Sequence, residues 1–285
     1  MTVRDLGYRP YEGERLPASH NSSVLLSHGL GRAWGSWLVK IAAFTGWIPP
    51  IIAMTIAGGY YYLTQQAGPG VEAEPLPAAD VVNQLLWVQL WGFVTLITVG
   101  AGSAVIAEDL QFRAFQFYFA KPVTPTQYLL GRIGAVGIWV LGMTLIPALL
   151  LVPVLAGTAP EDLRLERLGL FLPAIFQSLI IAVVTATASV GISSLSKSRA
   201  LTMSAWIVLF IVPHGLTSII EAIGDWPWLN LVSLPDLLEV VGDALFKVEP
   251  ESALRWYHAA PVLVALVVGS VVLAHRRISQ AEVIT

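Results

Sequence analysis

The residues best suited to chemistry are Glu108, Asp109, Phe112, Arg113, Phe115 and Phe119, which crowd into a polar, aromatic and basic hinge between two long apolar runs. A helix over Glu108–Phe119 predicts that Phe112, Phe115 and Phe119 share one stripe at i, i+3 and i+7. Burying one such ring is worth about 1.5–3 kcal/mol. Three rings, with two carboxylates and a guanidinium at the same end, suit a docking element that seats in a partner's groove. The alternative is that the rings lie against the membrane surface or the chain's own spans.

Bond-making chemistry finds little support elsewhere. No lysine follows a glycine, so the G-x-x-x-x-G-K-[ST] loop that cradles nucleotide phosphates is absent. The chain has no cysteine, which removes disulfides and thiolate metal sites. His214 and His258 fall on different elements, and an isolated histidine such as His214 on an apolar helix is more often a hydrogen-bonded core residue than a functional one. Gly100-Ala101-Gly102-Ser103-Ala104 reads as small-residue packing, not as a nucleophile turn. No catalytic residue, metal or cofactor is therefore expected on this chain.

The elements that position the hinge are set by composition. Hydrophobic residues make up 55% of the chain and charged residues 12%, with mean hydropathy +0.70 and net charge −3, against about 25% charged residues in a soluble domain. Six apolar runs, at Ile41–Leu63, Val81–Ala107, Ile133–Ala156, Leu168–Leu195, Ala200–Ile220 and Ala259–Ala274, predict an all-α protein with six transmembrane helices. All but the last exceed the roughly 20 residues that cross a hydrocarbon core. The short sixth is expected to recruit Trp256 and Tyr257 as an interfacial anchor. Pro49, Pro50, Pro147, Pro153, Pro173 and Pro213 predict kinks, not breaks. No Asp, Glu, Lys or Arg lies within these bounds, which argues against an ion-coupled carrier.

Alternate loops carry 12 of the 16 Lys and Arg on one side, while the other side holds 13 of the 19 acids. By the positive-inside rule both termini and the hinge are expected in the cytoplasm of a cell whose inner or plasma membrane holds the chain. Roughly 36 mostly polar residues precede the first apolar run, so no signal peptide is expected. Residues 1–20 read as an extended cytoplasmic arm, and 21–285 as the membrane domain. Asn21, Ser22 or Ser23 is expected to cap an interfacial amphipathic helix bearing Leu30, Trp34, Trp37, Leu38 and Ile41, since Gly29, Gly31 and Gly35 disfavour one long rigid helix; the alternative is that residues 30–40 are the first turns of the first span. Between spans five and six, Leu237, Leu238, Val241, Leu245 and Phe246 oppose Asp236, Glu239 and Asp243, as on an outer interfacial or re-entrant helix. Gly100 with Ala104, Gly131 with Ala135, and Ala182 with Ala186 are small pairs that let helices approach closely.

The segment Ile106-Ala107-Glu108-Asp109-Leu110-Gln111-Phe112-Arg113, running on to Lys121-Pro122-Val123-Thr124-Pro125-Thr126-Gln127-Tyr128-Leu129-Leu130-Gly131-Arg132, resembles the loop after the second span in type-2 ABC exporter permeases. The resemblance is specific over about residues 100–132 and architectural elsewhere; Arg113-Ala114 stands where that family often has Gly-Thr. It implies a coupling helix seated in an ATPase subunit, with Glu108, Asp109, Arg113 and Phe115 as coupling residues, two ABC ATPase subunits carrying ATP and Mg, and a second copy or related permease completing a dimer. The cargo implied by uncharged spans is hydrophobic or amphiphilic. Its polar head would pass Asn83, Gln84, Gln89, Thr95 and Thr98, unless these only bond neighbouring helices. No nucleic-acid partner is expected. The rival readings are a non-transporting scaffold or assembly subunit and a membrane-embedded enzyme or respiratory subunit.

Overall fold

Peptide groups in hydrocarbon have only one another as hydrogen-bond partners, and the apolar runs accordingly become helices in the computed structural model. It describes residues 20–66, 75–119, 123–221, 223–224, 226–250 and 253–283. The N-terminal arm up to residue 19, Glu72, Lys121 and Pro122 lie outside the described residues, as does the Phe119 side chain. Helix α1 is Asn21–Gly35. Six helices long and apolar enough to cross a membrane include α2, Trp37–Gln66; α3, Ala78–Gln111; and α6, Glu161–Ser193. The other three are α5, Pro125–Gly157; α7, Arg199–Glu221; and α9, Trp256–Val283; the hinge helix α4, Phe115–Phe119, and α8, Leu234–Phe246, are too short to cross. This is an all-helical membrane protein among the described residues.

Every span sits where an apolar run predicts it, but several are longer. The sixth apolar run is short, but its helix is not: it starts at Trp256 and Tyr257 and continues past the run through Arg276 and Arg277 to Gln280, giving 25 residues. Span three begins eight residues before Ile133, because Thr124 forms a reciprocal capping box with Gln127 and Pro125 occupies the first turn. That early start places Tyr128 and Arg132 one turn apart on the same face of α5. The prolines divide. Pro147, Pro153 and Pro213 lie within continuous helices, whereas Pro49 and Pro50 follow a turn at Gly46–Trp47 that interrupts α2. Within α3 two π-turns, Leu90–Val94 and Thr98–Gly102, insert extra residues, with Ser103 N–H reaching the Thr98 carbonyl at 2.8 Å.

The core lies along α5 and α6, where Val140, Leu151, Leu155, Ile181 and Ala186 are buried. α1 lies on α5 through Leu25, Gly29 and Ala33, one per turn. A Cβ on Gly29 would stand 2.7 Å from Ala135 Cβ, and one on Gly131 2.8 Å from Leu25 Cβ. The Gly131–Ala135 pair thus seats α1 within one chain. Trp34 stacks on Trp139 at 5.3 Å, and at Ser36 the backbone turns extended before α2 begins. Outward faces of α2, α7 and α9 expose Ile51, Val208 and Val264, as lipid contact requires.

The amphipathic reading of α8 needs correcting. Its apolar face is buried as expected, but Asp236 and Asp243 are buried too, because α8 is enclosed by α3, α6, α7 and α9 at one end of the bundle. Asp236 faces His214 and accepts from the Thr217 hydroxyl at 2.9 Å, both on α7. Asp243 accepts from Asn83 Nδ2 of α3 at 2.7 Å.

Candidate functional site

The hinge is not one helix. α3 ends at Gln111, Phe112 to Ala114 form a turn, and Arg113 takes a left-handed φ of 52° before α4 begins. The Ala114 N–H closes the turn on the Asp109 carbonyl at 2.9 Å. This break rotates the rings off a common stripe. Phe112 is 72% exposed, while Phe115 is 3% exposed and meets the Tyr128 ring edge-on at 5.2 Å. Phe117, which a continuous helix would have set off the stripe, is 76% exposed and becomes the second outward ring. Only the left-handed residue tells Phe117 from Phe115, and arginine gives no warning of it, being a good helix former.

Glu108 and Asp109 turn inward. Asp109 accepts from Arg32 Nη1 of α1 at 2.8 Å, from Arg132 Nη2 of α5 at 2.9 Å, and from the Tyr128 hydroxyl. Glu108 takes Arg32 Nη2 and, at 2.8 Å, Arg199 Nη1 at the start of α7. Arg132 also donates to the Tyr118 hydroxyl of α4 at 2.8 Å, and its guanidinium lies 5.0 Å from the Tyr128 ring centre. Four helices and the hinge are therefore laced together through two carboxylates. Burial opposes the charge on Arg32, but Asp109 and Glu108 outweigh it and raise its pKa above the ordinary arginine value. Glu108, Asp109 and Arg132 lie just outside the expected apolar bounds of spans two and three, on the helical extensions of α3 and α5 beyond them.

At the α8 end, α2, α3 and α8 line an open cavity of about 710 Å³. Of the five polar residues considered for a substrate path, Asn83 and Gln84 line it. Gln89 instead donates to the Gly46 carbonyl at 2.8 Å, Thr95 to Leu90 at 2.9 Å, and Thr98 to Val94 at 2.8 Å while accepting from Trp206 Nε1. These three hold the π-turns and the α2 break in place. Among the described residues no group of three or more histidines and acids is arranged to hold a metal.

No protein-family model matches the chain, and no curated protein does.

Proposed function

We propose that this chain is the membrane subunit of an ATP-driven exporter, with the hinge as the surface on which separate ATPase subunits seat. The observation that carries the reading is the outward pair Phe112 and Phe117 on a hinge whose root is a buried ion-pair lattice. Exposed rings next to a rigid, charged anchor suit docking into an apolar cleft, and the resemblance of residues 100–132 to exporter permeases supplies the kind of partner. Displacement of α4 is passed through Tyr118 and Arg132 to α5, and through Asp109 and Arg32 to α3 and α1. Glu108 extends the linkage to Arg199 on α7. In this reading Phe112, Phe117 and Arg113 contact the ATPase, while Glu108, Asp109 and Phe115 transmit force. The hinge and both termini face the cytoplasm, and two such membrane subunits pair around the cargo.

The test compares outward and inward rings in the full-length protein co-expressed with its ATPase. Phe112→Glu with Phe117→Glu should abolish ATPase co-purification and transport while leaving the melting temperature within about 2 °C, because surface changes generally stay within about 0.5 kcal/mol. Phe115→Glu should lower the melting temperature, since it places a charge against Tyr128. Full ATPase association and transport in the Phe112/Phe117 variant overturns the proposal.

A further inference from the structure

The cavity between α2, α3 and α8 has a chemical character that the hinge does not explain. Its volume of about 710 Å³ falls within the range of roughly 300–1,000 Å³ typical of small-molecule sites. It runs from Asp80, in the first turn of α3, to Val88, a depth of about 12 Å at 1.5 Å per residue. One wall is aliphatic: Ile52 and Ile56, a turn apart on α2, face Leu85 and Val88 of α3. The other lining is acidic, with Glu239 and Asp243 a turn apart on α8, Glu249 just beyond it, and Asp80 in the first turn of α3. Among the described residues lining the cavity there is no Lys, Arg or His. Trp87 adds an indole, the side chain that attracts cations best.

We infer that this cavity binds an amphiphilic organic cation, its charge against Glu239 and Asp243 and its apolar body against α2 and α3. A cleft lined by one sign of charge between low-dielectric walls concentrates ligands of the opposite sign. Anionic phospholipids are repelled by the same wall, and a neutral amphiphile gains nothing from its charge. An inorganic cation leaves most of the volume and the whole aliphatic wall unused. The binding of a cation stands on the cavity alone; that the cation is exported rests on the reading of the chain as an exporter.

The experiment uses the purified full-length chain in nanodiscs and equilibrium dialysis with two probes of the same shape and opposite charge, tetraphenylphosphonium and tetraphenylborate. Saturable binding of the phosphonium, at least tenfold tighter than that of the borate, is expected, counting only binding above that of empty nanodiscs. Glu239→Gln with Asp243→Asn should weaken it at least tenfold, and Leu85→Trp, which fills the aliphatic half, should abolish it. Asp80→Asn with Glu249→Gln, at exposed positions, tests the charge without touching the buried side of α8 and should weaken binding severalfold. No saturable phosphonium binding, equal binding of the two probes, or binding indifferent to all three sets of substitutions overturns the inference. Because no ATPase is present, these outcomes are independent of the hinge variants.

Discussion

Arg132 Nη2 lies 2.9 Å from Asp109 Oδ2, with the arginine side chain wholly out of solvent and the aspartate only 5% exposed. A buried ion pair of this kind contributes little net stability over an apolar replacement, yet removing one partner leaves an uncompensated charge and costs about 3–5 kcal/mol. Asp109→Asn, which leaves the buried Arg132 facing no carboxylate, should therefore lower unfolding stability by that amount in detergent, and Arg132→Met by less, because Asp109 keeps Arg32 and the Tyr128 hydroxyl. Asp109→Asn with Arg132→Met should lose less than the sum of the single changes, by at least about 1 kcal/mol. Additive losses in chemical-denaturant titrations would show that the pair is not coupled.

How much of this was legible beforehand depended on the range of the interaction. The six spans follow from apolar length alone, whereas the extended Ser36 that separates α1 from α2 is marked in the sequence only by the general excess of glycine at Gly29, Gly31 and Gly35. The lattice around Asp109 was not legible, because its partners stand 77 and 23 residues away and nothing in a linear pattern joins Arg32 to Arg132. Glu108 and Asp109 stand out in the sequence by their charge, but their inward direction depends on the cations brought by α1, α5 and α7. Likewise the acids of α8 read as a solvated face until Asn83 and His214 arrive from other helices to cover them. The buried root at Phe115 and the outward Phe117 depend on one backbone torsion, at Arg113.

Close approach of α1 to α5 makes a prediction about two glycines on α1. Gly29 has Ala135 Cβ only 2.7 Å from where its own Cβ would stand, whereas nothing lies within 4 Å of that position at Gly31. Gly29→Ala must push the helices apart, and overpacking of this sort costs about 1–3 kcal/mol. Gly31→Ala should instead stabilise by up to about 1 kcal/mol through helix propensity. Thermal melts of the two variants, which differ only in position, should move in opposite directions; shifts of the same sign would mean that α1 does not rest on α5 as described.

The seating of α1 should also weaken on mild acidification. The His28 pKa is lowered from the ordinary value of 6.5, chiefly by partial burial and then by the positive charges of Arg132 and Arg32, with Asp109 acting in the opposite sense. A histidine whose pKa is depressed in the folded state is bound by fewer protons there than in the unfolded chain, so stability rises with pH across that window. It is fully present above about pH 6.5 and falls as the pH drops toward the folded value. His28 is largely exposed, so the effect is small. The measurement is therefore a difference: melting temperatures at pH 7.5 and 5.5 for the parent and for His28→Gln. The parent should lose more on acidification than the variant, by an amount that shrinks when Arg32→Gln removes one of the repelling charges. A larger loss in His28→Gln than in the parent would reverse the sign and show that His28 gains, not loses, by protonation against α5.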